Sequence, residues 1–465
     1  MTKFHIRANG DPGPCSAAPG NCPLKRGEDE HYPTPQEARA AYEAQKNSFE
    51  KVVHVAHEIL LPKVASDFVN ELSASGLKPM LVGGIVRDSL AGEDVDFKDL
   101  DIEIHGSRSV DELASTIRRL GFRPDAVGKA FGVLKIALKD GTDVDLSLPR
   151  QDNHTGVGHR GFDVVVRPDM TLSEAASRRD FTINALYYDP IAKEMLDTNN
   201  GLGDWKDRKL RHMSDAFAED PLRVMRGMQL ASRFDLGVSN ETAVMAASIR
   251  GTFSELPTER IVTEWDKFFT KGQSSAAGLL ALQKMGWAEH FELAGIDAQR
   301  VGTGIDEARR VAKEDGLHFP PLGAGRLLQA LPPESRKRVG RLLLVQQGMV
   351  PRIADLAGTE APNKISEAKI LAWSRSMQKS KLSIGEWLVV NHDHPNEKAI
   401  RSLATKLNVS ARPQPLLLDG TIVTEAFNQK PGKWVGEILS QSGKAQDNGE
   451  FSTHEGAMKW LKGLL

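Results

Sequence analysis

LVGGIVRDSLAGEDVDFKDLDIEIHG, residues 81–106, decides the fold. It opens on the end of an apolar strand, "MLVGG", that runs into Gly83 and Gly84. "VRDSLAG" then reads as a short helix closed by Gly92, and "KDLDIEI" alternates strictly, with Leu100, Ile102 and Ile104 on one face and Asp99, Asp101 and Glu103 on the other. A fold needs little of this pattern, whereas a site that handles phosphates and metal ions needs nearly all of it. Missing side chains at Gly83 and Gly84 let backbone N–H groups approach a triphosphate. Arg87, one turn into the helix, adds a charge-assisted contact. Asp99 and Asp101 stand roughly 6.6 Å apart along their strand. Both can then reach a pair of divalent cations ~3.5–4 Å from each other, the arrangement used for in-line nucleotidyl transfer. A solvated strand face would account for the Asp-x-Asp pair, and a plain turn for one glycine, but neither accounts for the combination.

The same alternation recurs in "TDVDLSL" (142–148), where Val144, Leu146 and Leu148 oppose Asp143 and Asp145, so that Asp145 offers a third ligand from a neighbouring strand. With the strand "FGVLKIAL" and a helical segment at 109–120, residues 80–150 read as a mixed α/β unit of modest size. Helical periodicity is expected over 49–75, stopping near Gly76, and again as the main pattern from Ala185 to about residue 405. A last segment, 411–465, begins "ARPQPLLLDG" and ends in another helix. Residues 1–33 are rich in Gly, Pro and charge and read as an extension. Thr34, Pro35 and Glu37 then form a capping box before "ARAAYEAQ".

Composition narrows the function classes. The 465 residues are 40% hydrophobic and 26% charged with a formal net charge of −2, so contact with a polyanion has to come from local patches. That balance argues against a simple DNA-coating protein, and no DNA partner is expected. "KDRKLRH" (206–212) and "SRKRVGR" (335–341) are the candidate basic patches, each equally readable as a solvated helix face. No apolar run reaches the ~18–20 residues of a membrane span, and the N-terminal stretch lacks the apolar core of a secretory signal. The two cysteines, Cys15 and Cys22, make no disulfide framework, so a cytoplasmic setting is expected. With His5 and His31 they could form a zinc knuckle only through a poor Cys-x6-Cys spacing, and a flexible arm is the plainer reading.

A second constellation is "EDPLRVMR" (219–226). Asp220 and Arg223 are i, i+3 on a predicted helix and share a face. A carboxylate accepts from an exocyclic amino group and a guanidinium donates to ring or carbonyl acceptors. Cytosine and adenine both present an amino donor beside a ring-nitrogen acceptor, whereas guanine and uracil present a carbonyl beside an N–H. One Asp–Arg pair can therefore accept C and A and reject G and U, each mismatch leaving buried polar groups unpaired at ~1–3 kcal/mol. Taken alone, the segment is also an ordinary helix with i, i+3 and i, i+4 ion pairs.

Together, "LVGGIVRDSLAG" with "KDLDIEIHG", "RRDFTINALYYDP" (178–190), "LDTNNGLGDWKDRKLRH" (196–212), "EDPLRVMR" and "LPTERIVTEWDKFF" (256–269) resemble, in order and spacing, the motifs of class II tRNA CCA-adding enzymes and bacterial poly(A) polymerases within the nucleotidyltransferase superfamily. The resemblance implies an α+β chain: a small mixed-sheet, polymerase-beta-like nucleotidyltransferase head followed by mostly helical neck, body and tail. The expected boundaries are an extension at 1–48, head at 49–188, neck at 189–275, body at 276–410 and tail at 411–465. It further implies two Mg²⁺ ions on Asp99 and Asp101, phosphate contact from Arg179, sugar contact from Asp180, and a turn braced by Asn184. Glu219 would orient Arg223, and Arg226 would help hold base or phosphates.

The implied activity is template-independent addition of C, C and A to tRNA 3′ ends from CTP and ATP. Poly(A) synthesis, or partial CC or A addition, are the alternatives the shared motifs leave open. The C-terminal "PLLLDGTIVTEAFNQKPGKWVGEIL" is similar to the tail with which CCA-adding enzymes grip the tRNA elbow. The segment 150–168 would be a mobile loop, or an ordinary basic one. Two departures stand out. Gln229-Leu230 replaces an Arg-Phe pair, and "LQALPPES" occupies the place of an HD phosphohydrolase motif, so no such activity is expected.

Overall fold

The alternation in "KDLDIEI" folds as read. In the computed structural model of the chain, which describes residues 4–6, 12–14, 34–37, 52–92, 97–125, 132–154 and 162–465, Asp99–His105 is a central strand with Leu100, Ile102 and Ile104 buried. Cys15, Cys22, the "ARAAYEAQ" segment and the tip of the 150–168 loop lie outside the described residues. The Thr34 cap is described: the Glu37 N–H donates to Thr34 Oγ1 at 3.1 Å. The chain divides into two compact units, residues 1–220 and 221–465.

The first unit is built on seven strands: β1 (Val53–Ala56), β2 (Lys78–Val82), β3 (Asp99–His105), β4 (Val133–Ala137), β5 (Asp143–Ser147), β6 (Tyr187–Asp189) and β7 (Glu194–Asp197). They lie in the order β1-β7-β6-β2-β3-β5-β4. Every neighbouring pair is antiparallel except β3 and β5, which run parallel. Helices α1 (Lys63–Ala74) and α3 (Val110–Arg119) cover one face, where Phe68, Leu72, Leu113 and Ile117 pack on Leu100, Ile102, Ile104 and Leu146. α2 (Gly84–Leu90) follows β2 directly, and α4 is the short helix Leu172–Ala176. A smaller cluster of Met80, Val82, Ala176, Ala185, Tyr187 and Leu196 forms on the sheet outside that core. Residues 150–154 and 162–166, expected as loop, pair as a two-stranded antiparallel ribbon.

Two expectations are corrected. The helix read over 49–75 occupies only Lys63–Ala74, and Val53–Ala56 is an exposed edge strand. Pro62 sets the boundary, because a residue preceding proline is driven out of the helical region and the Pro62 carbonyl accepts the first helical bond, from the Ser66 N–H at 2.9 Å. Nor does the chain turn helical after Ala185, since the 187–197 hairpin joins the head's sheet and carries it past residue 188. Its turn is held by Asp189, whose carboxylate accepts from the Ile191 and Ala192 N–H groups at 2.9 and 3.0 Å, an aspartate turn.

The 196–212 motif is a brace for the 178–190 motif. Asp197, buried, accepts from the N–H groups of Asn199, Gly201 and Leu202 at 2.9–3.0 Å and so starts helix α5 (Gly201–Lys206). Thr182 Oγ1 donates to Asp204 at 2.8 Å, and Arg211 Nε reaches the same carboxylate at 3.2 Å. Gly201 is required by proximity: a Cβ there would stand 2.5 Å from the Thr182 carbonyl oxygen and 3.0 Å from Leu186 Cδ2. Gly201→Ala is expected to destabilise the head by about 1–3 kcal/mol, read as a lower urea midpoint. An unchanged midpoint would mean that the two motifs are not packed this closely.

The second unit is almost wholly helical. Its core is aromatic, with Trp265 edge-on to Phe268 at 5.1 Å and to Phe291 at 5.3 Å between ring centres. Residues 418–461 enclose a small core of their own, made of Leu418, Val423, Ala445, Phe451, Ala457 and Leu461. That tail is fastened to the helix Glu367–Lys379 by Arg375, whose Nε lies 2.8 and 3.0 Å from the two oxygens of buried Asp447 and whose Nη1 donates to the Gln414 carbonyl at 2.8 Å.

Candidate active site

The parallel pairing of β3 with β5 sets the acids side by side. Asp99 lies opposite Asp143 and Asp101 opposite Asp145, all on one sheet face. Asp145 does not stand alone: Lys135, its partner across β4, approaches its two oxygens at 2.8 and 2.9 Å. Asp99 and Asp101 are exposed. The Asp101 carboxyl is nonetheless pushed above its ordinary range, first by the hydration it loses to the surrounding sheet and then by the Asp145 carboxylate, with Arg179 and Lys135 opposing. A cation between these acids relieves that repulsion. The donor set, carboxylate oxygens open on one side, fits Mg²⁺, which takes one or two protein carboxylates and completes its shell with water and phosphate oxygens. Among the described residues no three His, Cys, Asp or Glu side chains are grouped to hold a metal by themselves.

The glycine turn abuts the acids. Gly83 has φ +74° and ψ −132°, a conformation that a side chain makes costly, and a Cβ there would sit 3.6 Å from Asp101 Oδ2. The backbone that would meet phosphate is thus a neighbour of the carboxylate that would meet metal. Beside Asp99 opens a cleft of about 490 Å³ bordered by Phe97, Lys98, Asp140, Gly141, Thr142 and Asp143, within the range of nucleotide-sized sites.

Arg87, Asp180 and Asn184 are brought together, but in the interior. Arg87 is 6% exposed; its Nη1 donates to Asn184 Oδ1 at 2.6 Å and its Nε to Asp88 at 2.8 Å. Asn184 Nδ2 donates to Asp180 Oδ1 at 2.8 Å, which also accepts from the Phe181 N–H. This relay ties α2 to the turn at 180–184. Asn184 bonds within that turn, and the described Arg87 contacts are with the fold.

Glu103 is a participant that the sequence reading left out. It shares the acid row of β3 yet is fully buried. Its Oε2 accepts from Arg179 Nη2 at 3.2 Å and from Arg178 Nη2 at 3.5 Å, while its Oε1 meets Tyr187 Oη at 3.0 Å and His105 Nε2 at 3.2 Å. Burial alone would raise its carboxyl; the His105 hydrogen bond and the two guanidinium groups outweigh it and hold the group at about 2. The signal that could have found it was the Arg178-Arg179 pair, two adjacent cations facing one neighbouring acid, Asp180, in sequence.

The base-reading segment is corrected at its start. Asp220 is extended (φ −122°, ψ 98°), Pro221 caps the helix, and α6 runs Leu222–Phe234. Asp220 therefore shares no helical face with Arg223, because the residue before a proline avoids the helical region. Glu219 ends a short 3₁₀ turn (Asp215–Glu219). Arg223 and Arg226, i and i+3 within α6, are half-buried on one side, while Val224, Met225 and Met228 are fully buried. Gln229, the departure noted above, is buried. No helix among the described residues is long and apolar enough to cross a membrane.

Comparison with known proteins agrees with this geometry. The poly A polymerase head domain family matches residues 80–211. Residues of this chain are 40% identical over 189 positions to the multifunctional CCA protein of Nitrosococcus oceani, covering 40% of this chain and 43% of that one. They are 36% identical over 205 positions to that of Xylella fastidiosa, covering 43% and 46%. The chain thus spans less than half the length of these curated relatives. Among solved structures, the Bacillus stearothermophilus CCA-adding enzyme in complex with CTP superposes with a TM-score of 0.61 at 20% identity, over 87% of this chain and 98% of that one. The Thermotoga maritima CCA-adding enzyme complexed with tRNA_CCA gives 0.60 at 18% identity, over 90% and 98%. Residues 80–211 carry a poly A polymerase head domain, in a chain whose fold is that of the CCA-adding enzymes.

Proposed function

We propose that this chain is a CCA tRNA nucleotidyltransferase, adding C, C and A to tRNA 3′ ends from CTP and ATP with release of pyrophosphate. The observation that carries this reading is the placement of Asp99 and Asp101, open to solvent, against the Gly83 turn. Solved relatives of the same fold hold CTP, ATP and tRNA_CCA, which favours nucleotides and tRNA as the substrates. The helical tail, similar in sequence to the elbow-gripping segment of such enzymes, favours tRNA over other RNA. A cytoplasmic location accords with that substrate.

Asp99 and Asp101 would hold the two Mg²⁺ ions, which when bound activate the terminal 3′-hydroxyl and neutralise charge on the departing pyrophosphate. The chain's own residues do the positioning. Backbone N–H groups at Gly83 and Gly84 face the phosphates. Arg179 Nε, buried without a hydrogen-bond partner in the protein, is a donor that a phosphate oxygen would satisfy. Lys135 keeps Asp145 oriented beside Asp101. Asp220 and Arg223 would present acceptor and donor to the amino group and ring nitrogen shared by C and A.

The deciding experiment supplies a tRNA transcript lacking its last three nucleotides, with Mg²⁺ and each NTP singly and together, and sequences the 3′ ends. Addition of CCA followed by a halt is expected. A long A tail would make the chain a poly(A) polymerase, CC or a lone A a partial enzyme, and no addition would defeat the reading.

A further inference from the structure

A carboxylate with no solvent access sits two residues beyond Asp101 on β3, on a face where it neighbours Met80 across β2. Burying a charge there lowers stability compared with an apolar residue of similar size unless its partners are well placed, so Glu103 calls for an explanation other than packing. Its contacts supply one. Glu103 Oε2 holds the Nη2 ends of Arg179 and Arg178, and Oε1 lies against the Tyr187 hydroxyl and His105 Nε2. Tyr187 also sets its ring 5.6 Å below the Arg179 guanidinium. Arg179 is fixed at one end and from beneath, while its buried Nε keeps no partner within the protein.

Without such a clamp the guanidinium would be drawn to the nearest open acids. Arg179 is close enough to influence Asp101, and Asp99 and Asp145 lie in the same ladder. An arginine collapsed onto them would neutralise the carboxylates meant for metal and would itself be lost to the nucleotide.

We propose that Glu103 is a positioning residue for the incoming nucleotide: it does not touch substrate, but holds Arg179 off the metal-binding carboxylates and aimed at the β- and γ-phosphates. This rests on the nucleotidyltransferase reading above. Because Glu103 and Asp101 belong to one strand, the anchor of the clamp lies one strand repeat, roughly 6.6 Å, from the metal ligand.

The test is equilibrium binding of CTP and of CMP to the full-length protein with Mg²⁺ and without RNA, by titration calorimetry. CMP lacks the phosphates that Arg179 would hold. Glu103→Gln keeps the shape and removes the charge; its CTP Kd is expected to rise about tenfold while its CMP Kd moves less than about twofold. Glu103→Asp, charged but shorter, should recover part of the CTP preference. General damage to the head would weaken both ligands alike, and that result, or an unchanged CTP-to-CMP ratio in folded Glu103→Gln, overturns the proposal. If circular dichroism shows Glu103→Gln unfolded, Tyr187→Phe decides, since it keeps the ring under Arg179 and removes the hydroxyl from Glu103. A loss of about two- to threefold in the preference for CTP over CMP supports the clamp, and no change overturns it. A wild type that binds no CTP defeats the nucleotidyltransferase reading and the inference together, whereas a wild type that binds beside variants of unchanged ratio defeats the inference alone.

Discussion

Asp101→Ala should slow nucleotide addition by at least about a thousandfold, as expected for loss of a ligand on which both metal-dependent steps rely, and should melt no earlier than the wild type. The two halves of this expectation come from the same observation. Asp101 stands opposite Asp145, two residues from Asp99, and its carboxyl is pushed up by lost hydration and then by the Asp145 charge. In the metal-free protein it is therefore repelled by its neighbours, and removing it relieves that repulsion. A side chain that costs stability and is kept open to solvent beside a glycine turn is placed for a ligand. The measurement pairs extension of a tRNA lacking its CCA end with a thermal melt of the same preparation. Near-normal turnover would remove Asp101 from the chemistry. Lost turnover with a large fall in melting temperature would mean that the residue supports the fold instead.

Much of this site was legible from alternation and punctuation. The periodicity of two in "KDLDIEI" and "TDVDLSL" placed five acids at alternating positions, and parallel pairing of the two strands set the four aspartates opposite one another. Gly83 was legible as a turn, and its positive φ bears that out. Alternation says which face a side chain takes, however, and not whether that face is open or sealed along its length. Asp99, Asp101 and Glu103 looked alike, yet Tyr187 and the 178–179 segment bury Glu103 and leave the other two exposed. That burial depends on a strand some 84 residues away in sequence. The pairing of Lys135 with Asp145 was equally hidden, because it needed the register of β4 against β5. Two misreadings had a local signal that was overlooked. Pro62 and Pro221 each mark a helix start, and a periodic pattern was carried back across both.

The proline at 221 bears on base selection, where the second large effect is expected. Asp220 is extended before the helix and Arg223 stands within its first turn, so the two groups do not share one helical face. An acceptor and a donor can match the amino group and ring nitrogen that cytosine and adenine share, and each unmatched group in a dry site costs ~1–3 kcal/mol. Asp220→Ala and Arg223→Ala should each lower CTP incorporation by about 10- to 100-fold, the rate equivalent of losing one such pairing. UTP and GTP, which never made it, should fall by much less. The preference for C over U then narrows even though the enzyme is slower with every nucleotide. Single-turnover addition of each of the four NTPs to a tRNA lacking its last three residues measures this directly. An equal fall for all four would assign the pair to holding the head and the helix in shape. A narrowed preference would assign it to reading the base, and would do so for Asp220 and Arg223 separately, because neither residue's position depends on a helical face shared with the other.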